Sequence, residues 1–207
     1  MREVVLAEEQ LRQLQNIYEK LEQVYEEVAG KLNFSCVDCP DNCCDSYFLH
    51  HTYAEWAFLW LGFSRLEFAK QREILQKSEN YIEQCGVAKE LGERPQVMCP
   101  VNEEGLCILY KYRLLVCRTH GVPAGLTRPD GQQLHFPGCF HCQELVQKRC
   151  GDVQPPYVER TPLLQKLVWL EDELLDNRRS LMPKVKMTIA EMLVKGPPVL
   201  QVPHCQR

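Results

Sequence analysis

Twelve cysteines in a chain of 207 residues are the feature with the most chemistry in it. One group reads Cys36-Val-Asp-Cys39-Pro-Asp-Asn-Cys43-Cys44, and a looser one follows at Cys99, Cys107, Cys117, Cys139 and Cys142. A C-x2-C step lets two thiolates reach one metal across a tight turn, where backbone amides can donate to the sulfurs. Cys43 and Cys44 are vicinal, and neighbouring side chains tend to point apart. The pair therefore suggests a polynuclear cluster, two adjacent sites, or one ligand beside one thiol. Cys85, Cys150 and Cys205 stand outside both groups and are expected to be inert thiols.

Composition decides between metal and disulfide. Hydrophobic residues make up 45% and charged residues 25%, a balance that supports a packed core rather than wholesale disorder. The N-terminus lacks the apolar stretch of a signal peptide. The longest apolar run, Tyr53 to Phe63, is too short to span a bilayer and carries Glu55. The expectation is a cytoplasmic protein that is not held in a membrane, and the cytosol keeps thiols reduced. Clustered cysteines in such a place point to metal ligation. A net charge of −4 disfavours a bulk nucleic-acid binder.

Charge is not spread evenly. Gly105 to Pro129 contains no acid but holds Lys111, Arg113, Arg118 and Arg128. Four thiolates on Zn(II), or on a dicationic four-iron cluster, leave a formal charge of about −2. Arg113, between Cys107 and Cys117, and Arg118, next to Cys117, are the cations placed to offset it from just behind the ligands.

The order C-x2-C-x3-C-C, then C-P-x6-C-x-[IL]-Y-x2-R-x3-C-R, then a further cysteine, resembles the YkgJ-type cysteine-cluster family. That family is described as a zinc- or iron-chelating domain, and flagellin lysine-N-methylases carry a related cysteine set. The likeness runs from Phe34 to Cys142 and implies metal ligands at Cys36, Cys39, Cys43, Cys44, Cys99, Cys107, Cys117 and Cys139. The chain departs from the pattern at Leu114, where family members often carry proline. It also adds Cys142, which forms a second C-x2-C with Cys139. The late ligand is thus Cys139 or Cys142, and His141 between them is a further candidate. Thiolates suit zinc and iron–sulfur alike. The vicinal pair and the resemblance favour a 4Fe-4S cluster over zinc. The resemblance also implies modification of a protein or peptide side chain, although the radical-type spacing C-x3-C-x2-C is absent and enzymatic activity stays open. The alternative is a non-enzymatic, zinc-stapled protein-interaction module.

Helices must hold these loops. Val4, Ala7, Leu11, Leu14, Tyr18, Leu21, Tyr25, Val28 and Leu32 form a heptad seam, with Gly30 as its stop signal. Thr161-Pro162 opens a second leucine-striped helix through Leu181, with Asn177 in the seam. Antiparallel packing of the two is preferred over homodimerisation through the N-terminal helix. Thr52/Glu55 and Ser64/Glu67 are capping-box patterns, predicting helices to Leu61 and from Arg65 to Gln84; a last helix is expected over Lys184 to Lys195. Leu106 to Tyr110 and Leu114 to Val116 are weak strand signals, and Trp56, Trp60 and Trp169 read as core. The expected fold is mainly α, one domain: a long helix over 1–33, a loop-rich metal-binding core over 34–150, and C-terminal helices over 151–207. No G-x-G-x-x-G, G-x4-G-K-[ST], H-E-x-x-H or G-x-S-x-G motif is present, which disfavours dinucleotide, P-loop, zincin and α/β-hydrolase chemistry.

Overall fold

The computed structural model describes residues 2–37, 39, 43–151 and 153–200. These are predominantly helical: α1 (Glu8–Leu32), α2 (Tyr53–Phe63), α3 (Phe68–Glu90), α4 (Leu115–Thr119), α5 (Phe140–Cys150), α6 (Thr161–Leu174) and α7 (Ile189–Lys195). Short strands are β1 (Arg2–Glu3), β2 (Asn102–Glu103), β3 (Leu106–Cys107), β4 (Ala124–Thr127), β5 (Gln133–Phe136), β6 (Val158–Glu159) and β7 (Val199–Leu200). No helix among the described residues is long and apolar enough to cross a membrane. The chain divides into two compact units, one built from 1–11, 44–114 and 170–207, the other from 12–43 and 115–169. The cuts run through α1 and α6, not at residues 33 and 150.

In the first unit, α2 is buried on nearly every side, so its backbone ends must be satisfied internally. Thr52 Oγ1 accepts from Glu55 N at 3.1 Å. The buried Glu171 carboxylate accepts from Tyr53 N at 2.9 Å and Ala54 N at 2.8 Å. Trp56 Nε1 donates to the carbonyl of Gly196 at 2.8 Å, and α3 packs along α7. Gly62 does not stop α2. The helix runs one residue past it, and the position is glycine because the ring of Tyr112 occupies the space a Cβ would need. Ser64 ends α2 instead of opening α3, whose N-cap is Glu67 with no side-chain cap bond, so the Ser64/Glu67 box does not form. Cys85-Gly86 does not end α3 either. Termination comes at Gly92 (φ 75°), whose N–H reaches the Lys89 carbonyl while Glu93 N reaches Ala88 O at 2.8 Å. The α7 helix starts at Ile189, later than Lys184, because the Thr188/Glu191 capping box sets its first turn.

The second unit has its own apolar centre. Val28, Ala29, Leu32 and Phe34 meet Val122, Ala124, Cys142 and Val158. The last three of these lie on or beside the three-stranded sheet β5-β4-β6 and α5. The chain from 115 to 150 thus shares an apolar centre with the end of α1. Arg128-Pro-Asp-Gly131 makes the β4–β5 turn, with Gly131 at φ 83°. The α1 helix starts at Glu8, not Val4, and passes through Gly30. It ends in a Schellman motif: Asn33 takes φ 47°, its N–H reaches Gly30 O at 3.0 Å, and Phe34 N reaches Ala29 O at 2.8 Å. Leu114 to Val116 is not a strand; Leu115 opens the short helix α4. The same left-handed device at Asp176 (φ 54°) ends α6 before Asn177 and Leu181, and Leu181 is 76% exposed, so neither extends a seam. Trp169 is 67% exposed and belongs to no core.

Candidate functional site

In the second unit the Schellman turn at Asn33 releases the chain directly into Cys36. Cys39 N then reaches back to the Cys36 carbonyl at 3.4 Å, closing the first C-x2-C turn. The second C-x2-C lies at the start of α5. Cys139 is its N-cap residue, and Cys142 sits fully buried in the first turn. Helix starts leave backbone N–H groups without helical partners. Here those of Cys142 and His141 favour the charged form of the Cys139 sulfur without making a side-chain cap hydrogen bond to it.

Tyr25 joins the two turns. Its hydroxyl oxygen lies 3.6 Å from Cys36 Sγ, within reach of an O–H···S hydrogen bond. Burial raises the pKa of its phenol, helped by that hydrogen bond and by the charges of Cys36, Cys139 and Cys43. Burial likewise pushes the Cys142 thiol up to about 12, with Cys139, Cys36 and Cys150 adding to the effect. Burial raises Cys139 as well; the two backbone N–H groups work against this, while Cys36 and Cys39 add to it. Six thiols, from segments about a hundred residues apart, thus share one neighbourhood: Cys36, Cys39, Cys43, Cys139, Cys142 and Cys150, the last of which stands outside both groups in the sequence. Mutual repulsion among their charged forms is what a bound cation would relieve. Both candidates for the late ligand are in this group. His141 lies against Phe34, with ring centroids 5.8 Å apart, and lines a shallow pocket of about 210 Å³ with Glu144, Leu145, Lys148 and Arg149.

Cys117 sits half-buried on α4 in the same unit. The guanidinium of its neighbour Arg118 stacks over the Tyr18 ring at 4.4 Å. Arg160, buried at the start of α6, donates to the Thr119 carbonyl at 3.2 Å and so holds the end of α4.

The remaining predicted ligands are in the first unit. Cys99 N donates to the Cys44 carbonyl at 3.0 Å, and Asn102 N to the Cys99 carbonyl at 2.9 Å. The β2–β3 hairpin then sets Cys107 opposite Asn102. Its two-residue turn, Glu104 (φ 49°) and Gly105 (φ 87°), has the positive φ pair of a type I′ turn. Cys44, Cys99 and Cys107 are thus held by one set of backbone bonds. Buried Cys85 lies beside Tyr81, whose phenol also feels the charge of Cys99. Arg113 stacks on the Tyr110 ring at 3.6 Å. Cys205 lies outside the described residues.

By donor chemistry the thiols suit zinc or an iron–sulfur cluster. Among the described residues, however, no group of three or more His, Cys, Asp or Glu side chains is arranged to hold a metal ion. The thiols are neighbours, not a finished coordination shell. Comparison with protein families, curated proteins and solved structures finds no match for this chain. The site must be read from its own geometry.

Tyr25 is the residue that spacing missed, since it fits the α1 seam as an ordinary packing position. The signal was its hydroxyl, on the helix that leads into the thiol loop eleven residues before Cys36.

Proposed function

We propose that the chain is a cytoplasmic metal-binding protein whose cysteines hold an iron–sulfur cluster, or zinc in the second instance. The observation that carries this is the gathering of Cys36, Cys39, Cys43, Cys139 and Cys142 in one neighbourhood of the second unit, with the Tyr25 hydroxyl beside Cys36. Cys117 on α4, and Cys44, Cys99 and Cys107 in the first unit, complete the thiol set of the YkgJ-type pattern. A bound metal ties its cysteine ligands together, and its binding free energy adds to folding. When bound, a four-iron cluster supplies an electron reservoir, whereas zinc supplies a structural staple.

Arg113 and Arg118 belong to this reading as the cations that offset thiolate charge. A protein or peptide side chain is the substrate class. The antiparallel pairing of α1 with the Thr161 helix is part of the proposed architecture, homodimerisation through α1 being its alternative. The rival function is a zinc-stapled interaction module without catalysis, favoured by exposed apolar side chains on helices such as Phe68 and Trp169.

Purification without oxygen separates the two. Brown protein with a broad band near about 400 nm, carrying iron and acid-labile sulfide, supports the cluster. Colourless protein whose stoichiometric metal is zinc supports the module. In either case Cys36→Ser, Cys39→Ser, Cys107→Ser and Cys117→Ser should each lower bound metal, while Cys85→Ser should not. Unchanged metal across most of the first four overturns the assignment.

A further inference from the structure

Tyr25 reaches the thiols because a glycine lets it. A Cβ on Gly121 would fall 2.5 Å from the Tyr25 hydroxyl oxygen, and Gly121 holds φ 129°, where other residues are strained. The Gly121 carbonyl also accepts from Cys139 N at 3.1 Å, so one backbone residue both clears the phenol's path and fixes the second C-x2-C beside it. Gly138 completes the fit, since its own Cβ would strike the Gly121 carbonyl. The hydroxyl is thereby delivered to within 3.6 Å of Cys36 Sγ, the more exposed end of the thiol group.

We propose that Tyr25 is a positioning residue of the metal site, donating its O–H to the Cys36 sulfur and holding that ligand in place. This rests on the metal reading of the same thiols. A metal-bound thiolate carries no proton, so the phenol is the one partner of the pair able to donate. A hydrogen bond to a ligating sulfur lowers the energy of its lone pairs and fixes its direction, which both tightens binding and moves sulfur-to-metal charge transfer to higher energy.

The test uses the full chain and Tyr25→Phe, which keeps the ring and removes only the hydroxyl. Both proteins are titrated with Co(II) under anaerobic conditions, and affinity is read by competition with a chelator. The expected result for Tyr25→Phe is about 10-fold weaker binding, together with a shift of the sulfur-to-cobalt band to longer wavelength. Circular dichroism confirms that the variant is folded. Equal affinity and an identical band overturn the role of Tyr25 while leaving the metal reading standing. Weaker binding with an unmoved band also overturns it, since lost packing alone would do that. Failure of the wild type to take up Co(II) overturns this inference and the zinc form of the metal reading, whereas the iron–sulfur form stands or falls on the anaerobic purification.

Discussion

At the scale of single residues, His50 has no part in the thiol chemistry yet carries a clear consequence. It is 1% exposed, and neither ring nitrogen has a hydrogen-bond partner. Its backbone is tied to Met187 by bonds of 2.8 and 3.1 Å, so the ring cannot easily move out. Burial, with His51 adding to it, lowers its pKa to about 3. The folded value thus lies below the unfolded one of about 6.5, so between the two the unfolded chain binds the extra proton. Stability from this group is complete above about pH 6.5 and is lost as the pH falls toward 3. Replacing His50 by leucine should therefore widen the variant's stability advantage by about 2 kcal/mol between pH 7 and pH 5. Urea midpoints of both proteins at the two pH values check it; a constant gap would mean the ring is not held neutral.

At the scale of elements, the helices are set by their ends more than by their stripes. Asn33, Gly92 and Asp176 each close a helix with the same left-handed pair of bonds, although only one of them is glycine. The start of α2 is a different solution. Its first amides are satisfied by Glu171, 118 residues away from Tyr53, and not by a residue of its own turn alone. Two buried N–H groups lose their acceptor if that carboxylate is removed. Glu171→Ala should cost on the order of 2–3 kcal/mol, against about 1 kcal/mol for removing the local cap of α7 by Thr188→Ala. Denaturant unfolding of the two variants ranks them. A larger loss for Thr188→Ala would show that α2 tolerates its uncapped start.

At the scale of the whole molecule, the apolar cluster of the second unit bears on what a metal is needed for. Val122, Ala124, Cys142 and Val158 are buried among apolar neighbours, and Val101, Leu109 and Leu114 are buried in the first unit. In the first cysteine group, by contrast, Cys36 and Cys43 are exposed. Chelation of the holoprotein should therefore lower amide protection there and around Cys99 to Cys117, while α3, α7 and the β4–β5 hairpin keep theirs. Hydrogen exchange read by mass spectrometry would show the pattern. Uniform loss across α3 and α7 would mean that the metal supports the whole fold.

The predominantly helical class was legible from the chain itself, because Leu14, Tyr18, Leu21, Val28 and Leu32 recur at the helical period and are buried accordingly. So was the candidate chemistry, since thiol spacing is a local property of the sequence. The cap at Thr52 was legible because its side chain reaches its own turn; the same device at Thr188 was passed over, and Glu171 was illegible because its partner is distant. The β4–β5–β6 sheet was missed because strands of two to four residues carry too little alternation to register, even with Pro129-Asp130-Gly131 marking the turn. Only the tertiary structure decided that Cys36, Cys39 and Cys43 meet Cys139 and Cys142, and that Tyr25 stands among them. Local spacing says which residues can ligate. Which loops come together is set by how distant apolar faces pack, and that is a property of the folded chain alone.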